Sequence, residues 1–252
     1  MGMPGIDEIY PESRSGLDRE ALAEFYGRPG ARRGSGPWIR VNFVATADGS
    51  ATGEDDRSGS ISSDVDMAVF GVLRRLTDAV LVAAGTVRRE GYEGPLVREA
   101  QRAWRVAHGL AEHPGFAIVS GRLDLDPASA VFSESPVRPL VLTYASSPAN
   151  RREALGEVAD VVLVGDDDLD PGALRDAFAE RGWTDVLCEG GPSFFGSLAH
   201  AGAADELCLT VVPRLVAGDG PRIAHGPEAA AGLRLAHVLR GEHDELVLRY
   251  TR

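Results

Sequence analysis

From Trp38 to its end, this chain alternates short Val-, Leu- and Ala-rich runs with helix-periodic segments, and that alternation restricts its fold more than any other feature. The strand-like runs are Trp38–Ala45, Ala79–Ala84, Phe116–Ser120, Leu140–Tyr144, Val161–Val164, Asp185–Cys188, Leu207–Val212, Leu233–Leu239 and Glu245–Tyr250. Several are unbroken apolar runs, the pattern of strands buried on both faces. Helical patterns lie at Ser63–Leu76, Leu96–Gly109, Pro148–Leu155, Pro171–Arg181 and Pro192–Ala201. Such alternation predicts an α/β domain with a mainly parallel central sheet and flanking helices. Gly241-Glu242-His243-Asp244 is a short reversal, so the last two strands are predicted to form an antiparallel hairpin.

Residues 1–36 read differently, rich in Gly, Pro, Arg and charge, with one short amphipathic stretch around Leu17 to Tyr26. They are expected to be an extension on the surface of a domain spanning 37–252, ending in a flexible Arg32-Arg33-Gly34-Ser35-Gly36 segment. A formal net charge of -12 argues against a duplex nucleic-acid partner, because phosphate backbones need a basic face, although it leaves room for a local phosphate site. Cys188 and Cys208 fall in apolar runs and are read as reduced core thiols, since free Cys packs as a small hydrophobe. No Cys/His cluster has zinc-ligand spacing, the six histidines are scattered, and Asp166-Asp167-Asp168 reads as a solvated loop, so no metal is expected. Without a signal peptide or a membrane-length apolar run, the expectation is a soluble, cytoplasmic protein that does not bind membranes.

In open α/β sheets, ligands bind outside the carboxyl ends of the strands. Three strand ends here carry suitable residues. In Cys188-Glu189-Gly190-Gly191-Pro192-Ser193, glycines that let a backbone approach a ligand lead into a helix that starts with proline. Bare amides and the helix dipole there favour a phosphate, but an ordinary tight turn fits equally well. In Val82-Ala83-Ala84-Gly85-Thr86-Val87-Arg88-Arg89, a strand delivers a Gly-Thr pair with two arginines close behind. Thr can cap amides or touch a phosphate, and Arg offers a forked donor set; a solvated helix end is the alternative. Ser120 and Arg122 leave a third strand together. Two phosphate-type loops plus a Ser/Arg loop suit a dinucleotide with an extra phosphate, which favours NADPH over NADH. After the first strand, Asp48-Gly49 opens a Ser/Gly-rich loop running to Ser63, which either folds over a ligand or simply turns. Neither a Gly-x-Gly-x-x-Gly fingerprint nor a nucleophile elbow is present.

As a set, Asn42-Phe43-Val44-Ala45-Thr46-Ala47-Asp48-Gly49, Ile61-Ser62-Ser63, Leu73-Arg74, Asp78-Ala79-Val80-Leu81-Val82, Gly85-Thr86-Val87, Glu189-Gly190-Gly191-Pro192, Asp205-Glu206-Leu207 and Pro213 resemble one family. It is the pyrimidine reductases of riboflavin biosynthesis, the RibD C-terminal domain family, relatives of dihydrofolate reductase. The resemblance implies a dihydrofolate reductase-like, nine-stranded sheet, NADPH as hydride donor and a homodimer. It implies NADPH contacts from Thr46, Gly85, Thr86, Glu189, Gly190, Gly191, Pro192, Ser193 and Phe194, with Ser120, Arg122 and Arg88 toward the adenosine end. It puts the phosphoribosyl part of the substrate at Ser58, Ser62 and Arg74, leaves Asn42 at a substrate position where the family often has Lys and Asp66 as a substrate candidate on the next helix, and makes Asp48 and Glu189 the candidates for orienting the substrate or handling its proton. The implied reaction reduces the ring-opened ribose of 5-amino-6-(5-phosphoribosylamino)uracil, or a close analogue, to a ribityl chain. Hydride enters an imine-like carbon that is already electrophilic, so positioning matters more than strong acid–base chemistry.

The chain departs from the family pattern where an Asp-Pro usually follows Gly-Thr-Val, reading Arg88-Arg89-Glu90-Gly91-Tyr92 instead. Asn42 replaces a frequent Lys, and Ser60 a frequent Trp. The zinc deaminase signature of the bifunctional relatives is absent, which points to a stand-alone reductase. Two rivals remain open. A pteridine reductase would use Asp66, at the start of the first long helix, to hold its ring, although an acidic residue in a first helical turn also has a purely helical explanation. A nucleotide-binding module without catalysis is the other.

Overall fold

The computed structural model describes residues 3–27 and 36–252; most of the Arg32–Gly36 segment therefore lies outside the described residues. A single ten-stranded sheet organises the molecule. In chain order its strands are β1 (Ile6–Tyr10), β2 (Trp38–Thr46), β3 (Ala79–Ala83), β4 (Gly115–Val119), β5 (Leu140–Thr143), β6 (Asp160–Leu163), β7 (Asp185–Cys188), β8 (Glu206–Val212), β9 (Arg234–Gly241) and β10 (Leu246–Thr251). Across the sheet the order is β1-β9-β10-β8-β2-β7-β3-β4-β5-β6. From β8 to β6 every pairing is parallel, and β10 then joins β8 and β9 antiparallel. The α/β class, the mainly parallel sheet and the C-terminal antiparallel hairpin are as expected.

All nine expected strands are present, and the tenth comes from the N-terminal segment. β1 pairs antiparallel with β9, Ile6 opposite Gly241. A five-residue stretch carrying Asp7 and Glu8 has no convincing local strand signal; its partner lies at the far end of the chain. Pairing is stabilised by what the segment buries. Ile6 and Leu22 are fully inaccessible and Tyr26 nearly so, and each large apolar side chain removed from water contributes roughly 1.5–3 kcal/mol. Glu8, also buried, is met by Arg14 Nε at 2.9 Å. The segment read as a surface extension thus supplies both an edge strand and packed core.

The helices are α1 (Arg19–Phe25), α2 (Asp64–Leu76), α3 (Ala84–Glu90), α4 (Glu99–Ala107), α5 (Ala130–Ser133), α6 (Ala149–Gly156), α7 (Pro171–Ala179) and α8 (Pro192–His200). α1 is the amphipathic stretch noted in the sequence, N-capped by the Asp18 carboxylate. It shares an apolar cluster with α2 through Leu22, Phe25, Val69 and Leu73. Ser63 caps α2 and Pro192 starts α8, as their residue types dictate. Cys188 and Cys208 are unpaired and buried on β7 and β8, where burial pushes the Cys188 thiol up to about 12. None of the described helices is long and apolar enough to cross a membrane.

Candidate functional site

Strand order builds the site. β7 lies between β2 and β3, and β3 lies beside β4. Because these strands are parallel, the segments leaving their carboxyl ends emerge on one side of the sheet. The Glu189-Gly190-Gly191 turn after β7 therefore stands between the long loop after β2 and the Gly85-Thr86 turn after β3.

The turn is pinned to its neighbours. Glu189 N–H donates to the Leu81 carbonyl at 2.9 Å, and the Gly190 carbonyl accepts from Ala83 N–H at 2.8 Å. Gly190 has φ +93°, a conformation that favours glycine, and the Gly190–Gly191 peptide is cis. A Cβ on Gly191 would stand 2.7 Å from Thr86 Oγ1, so any side chain there must displace the Thr86 hydroxyl. Gly191 caps α8 without a side-chain hydrogen bond, and Pro192 has no N–H. The amides of Ser193 and Phe194 consequently have no side-chain acceptor, the usual state of a helix start that receives an anion. At α3, too, no side chain caps the helix, so Thr86 does not serve as an amide cap.

Two cavities meet at this turn. The outer one, about 500 Å³, is lined by Gly85, Thr86, Arg88, Ser120, Arg122, Ser193 and Phe194, among others. The inner one, about 390 Å³, is lined by Asn42, Ser58, Ser62, Asp66, Arg74 and Glu189, with Phe43, Thr52, Met67, Phe70, Glu90 and Tyr92 also on its wall. Thr86, Arg89, Gly191 and Pro192 belong to both linings and form the seam. The structure thus brings together nearly all the residues proposed from the sequence, divided between two adjoining spaces.

Glu189 and Arg74 were assigned separately, one to proton handling and one to substrate, yet they form a single group. Arg74 Nε donates to Glu189 Oε1 at 2.6 Å and Nη2 to Oε2 at 2.7 Å, while the Tyr92 hydroxyl adds a third hydrogen bond to Oε2 at 2.8 Å. Arg74 also donates to the Leu96 carbonyl and lies over the Phe70 ring, 4.3 Å from its centroid. Burial disfavours the charged guanidinium, but the charge and hydrogen bonds of Glu189, with Tyr92 behind them, more than offset it and hold Arg74 protonated above its ordinary range. Burial and the neighbouring carboxylate push the Tyr92 hydroxyl well above its ordinary range. Tyr92 therefore stays a donor, and three hydrogen-bond donors converge on the Glu189 carboxylate.

Asp48 and Thr46 are placed differently from expectation: neither lines either cavity. The Thr46 hydroxyl donates to Asp48 Oδ1, and Asp48 Oδ2 accepts from the N–H groups of Val216 and Ala217 at 3.1 and 2.7 Å. The Thr46 hydrogen bond first, and the Ala217 amide next, hold the Asp48 carboxyl below its usual range. Asp48 therefore holds the backbone at Val216 and Ala217. Gly190 likewise serves the backbone rather than a cavity wall. Arg88 is on the outer wall, but it donates to the Asp124 carbonyl at 2.5 Å and sits 3.5 Å from that carboxylate. Ser120 spends its hydroxyl accepting from Leu123 N–H at 3.0 Å, leaving Arg122 as the more available cation at that end.

Asp66 is the titratable group the inner cavity leaves least satisfied. Its Oδ2 accepts from the Ser62 hydroxyl at 2.6 Å, but its buried Oδ1 has no hydrogen-bond partner. Burial pushes this carboxyl up from 3.8, and the Ser62 hydroxyl, with the Thr210 hydroxyl after it, opposes that shift. The Thr52 hydroxyl on the same wall is also buried without a partner. Thr52, Phe70, Glu90 and Tyr92 were missed by sequence reasoning because they belong to no local motif. Only Glu90 carried a hint, as an acidic residue near the place of the missing Asp; it accepts from Ser58 N–H and hydroxyl, both at 3.2 Å.

Comparison with known proteins adds an independent line. The family model described as the RibD C-terminal domain matches residues 37–247. A 2,5-diamino-6-ribosylamino-4(3H)-pyrimidinone 5′-phosphate reductase from Archaeoglobus fulgidus is 25% identical over 86% of this chain and 99% of its own length. A riboflavin biosynthesis protein RibD from Mycobacterium tuberculosis is 26% identical over 72% of this chain, a match that takes in only 44% of that longer protein. Among solved structures, a pyrimidine reductase-like protein from Corynebacterium diphtheriae is 25% identical and superimposes with a TM-score of 0.75, covering 85% of this chain and 91% of the other.

Proposed function

The chain belongs to the RibD C-terminal domain family, and from that premise we propose that it is an NADPH-dependent reductase of a ribosylaminopyrimidine 5′-phosphate in riboflavin biosynthesis. The observation that carries this reading is the seam. A cavity walled by glycine-bearing turns and a capless helix start opens onto a second cavity rich in hydrogen-bonding groups, so a dinucleotide and a small substrate can meet across Thr86 and Gly191.

The outer cavity fits a dinucleotide by its chemistry. The free amides at the start of α8 suit the pyrophosphate, and Gly85 and Gly191 let backbone come close to it. Arg122 is the residue proposed to meet the extra phosphate that separates NADPH from NADH. The bound cofactor supplies a hydride. This chain's residues do the rest: Arg74, Glu189 and Tyr92 form a rigid wall, and Phe43 and Phe70 exclude water from the reacting face. Glu189, its carboxylate held by three donors, orients donor groups of the substrate. A family relative named for reduction of 2,5-diamino-6-ribosylamino-4(3H)-pyrimidinone 5′-phosphate supports the substrate class.

Asp66 favours a second reading. An unpartnered, buried carboxylate oxygen beside the inner cavity is suited to the paired N–H groups of an amino-substituted heterocycle, which a pterin also carries. One experiment separates the readings: purified protein with NADPH or NADH, offered the pyrimidine phosphate or a dihydropterin, followed by loss of the reduced nicotinamide absorbance. Turnover of the pyrimidine phosphate with NADPH is the expected result. Failure of calorimetry to register uptake of either nicotinamide dinucleotide by folded protein refutes both.

A further inference from the structure

The 213–233 segment carries the chain from β8 to β9 and, among the described residues, forms no helix or strand. Connections of that kind longer than about 12–15 residues are uncommon inside a domain and usually serve function. This one is tied down at two places. Its first half lies on the loop after β2, where Ala47 N–H donates to the Arg214 carbonyl at 3.0 Å and Ala51 N–H to the Pro221 carbonyl at 2.7 Å. The Arg214 guanidinium donates to the Ser60 carbonyl at 2.8 Å, beside the two amides that Asp48 accepts. Its second half lies on α8. There His225 N–H donates to the Pro192 carbonyl at 3.0 Å, and Ile223 and Ala224 pack on the cluster that holds Phe194, Phe195 and Leu198. The segment is thus a strap between two walls. The loop after β2 gives Ala51, Thr52, Ser58 and Ser62 to the inner cavity, and Pro192 stands at the seam.

Gly196 is what lets the strap reach α8. It is buried in the middle of that helix, a position where glycine is a poorer helix former than alanine. A Cβ built there would overlap the His225 carbonyl oxygen and stand 2.7 Å from its carbon. Both are backbone atoms, so no rotamer change makes room; the strap itself has to move. At Gly191, by contrast, the obstacle is one side-chain hydroxyl. Gly196 lines neither cavity. We propose that Gly196 is a positioning residue of the inner cavity: by leaving room for the His225 carbonyl it seats the strap on α8, and the seated strap fixes the loop that walls the substrate. That role rests on the reductase reading for the identity of the substrate.

The test compares full-length wild type with Gly196→Ala, Ile223→Ala and a control, Gly156→Ala, whose added Cβ meets nothing within 4 Å at the end of α6. Three quantities are measured: kcat and KM for the pyrimidine 5′-phosphate, the calorimetric Kd for NADPH, and hydrogen exchange at the amides of Ala51, Val216 and Ala217. Misplacing a positioned group by about 1 Å can cost a hundredfold. In Gly196→Ala, kcat/KM is therefore expected to fall about ten- to a hundredfold, chiefly through KM, with faster exchange at the three amides. The Kd for NADPH stays within about twofold of wild type, and the control matches wild type throughout. Absence of either the kinetic or the exchange change in folded Gly196→Ala overturns the proposal. So does a loss of NADPH affinity as large as the loss of kcat/KM, which would locate the damage in α8 rather than in the strap. Should Gly196→Ala fail to fold, Ile223→Ala loosens the same seat by removing atoms and is judged by the same criteria. Should wild type bind NADPH but reduce no pyrimidine, the substrate reading fails by itself. Exchange then decides Gly196, unchanged rates at the three amides overturning its role.

Discussion

Glu189→Gln isolates the most strongly built interaction of the site. The carboxylate is 2% exposed and its partner Arg74 19% exposed, with three hydrogen bonds of 2.6, 2.7 and 2.8 Å converging on it. The amide keeps the shape, removes the charge and turns one N–H toward an N–H of Arg74, leaving a nearly buried guanidinium without its counter-charge. Breaking a fully buried pair from one side costs about 3–5 kcal/mol; water reaching Arg74 screens part of this, so about 2–3 kcal/mol is expected here. For a chain of this size each kcal/mol moves the melting temperature by about 2–4 °C, which gives a loss of about 4–12 °C by calorimetry. A double-mutant cycle with Arg74→Met sharpens the measurement, because destabilisation shared by the pair appears as a coupling energy of at least about 1 kcal/mol. Arg74 stays charged and Tyr92 stays protonated across the neutral range, so the loss should not vary with pH there. A Gln variant that melts within about 2 °C of wild type, with a coupling energy under about 0.5 kcal/mol, would refute the claim that Arg74 and Tyr92 fix this carboxylate.

Gly191→Val pushes a branched side chain into the space held by Thr86 Oγ1, 2.7 Å from where a Cβ would sit, and should abolish measurable NADPH binding by calorimetry while the protein stays folded; unchanged affinity counts against the cofactor site. Asp66 titrates above 3.8 in the folded state, so the native protein holds its proton more tightly than the unfolded chain does. Its contribution to stability is full at acid pH and is lost as the pH rises through the raised value. Asp66→Asn should therefore gain stability relative to wild type on going from about pH 3 to about pH 7 in urea unfolding, and the reverse trend would contradict the burial argument. Asp48→Asn weakens the acceptor for two amides, so hydrogen exchange at Val216 and Ala217 should quicken. If those amides are unaffected and only turnover falls, Asp48 acts on the reaction rather than on the loop.

Much of this architecture could be read along the chain. Continuous Val/Leu runs and capped, periodic segments report local propensity and burial, and both act over a few residues. The parallel sheet, the hairpin at Gly241 and the helix starts at Ser63 and Pro192 follow from that range of information. The glycine-bearing turns were legible for the same reason: Gly190 needs a backbone conformation other residues avoid, and Gly191 leaves room for the Thr86 hydroxyl. What escaped depends on partners distant in sequence. β1 becomes a strand only because β9 offers an edge and α1 closes over it. Asp48 sits in a recognisable motif, but the amides of Val216 and Ala217 bind its carboxylate. Glu189 has the residue type of a proton carrier, yet Arg74, 115 positions away, donates two hydrogen bonds to it. Side-chain identity sets what chemistry is available at each position. Strand order decides which groups meet, and in a low-dielectric interior the group that is met determines whether a carboxylate gives, takes or merely holds.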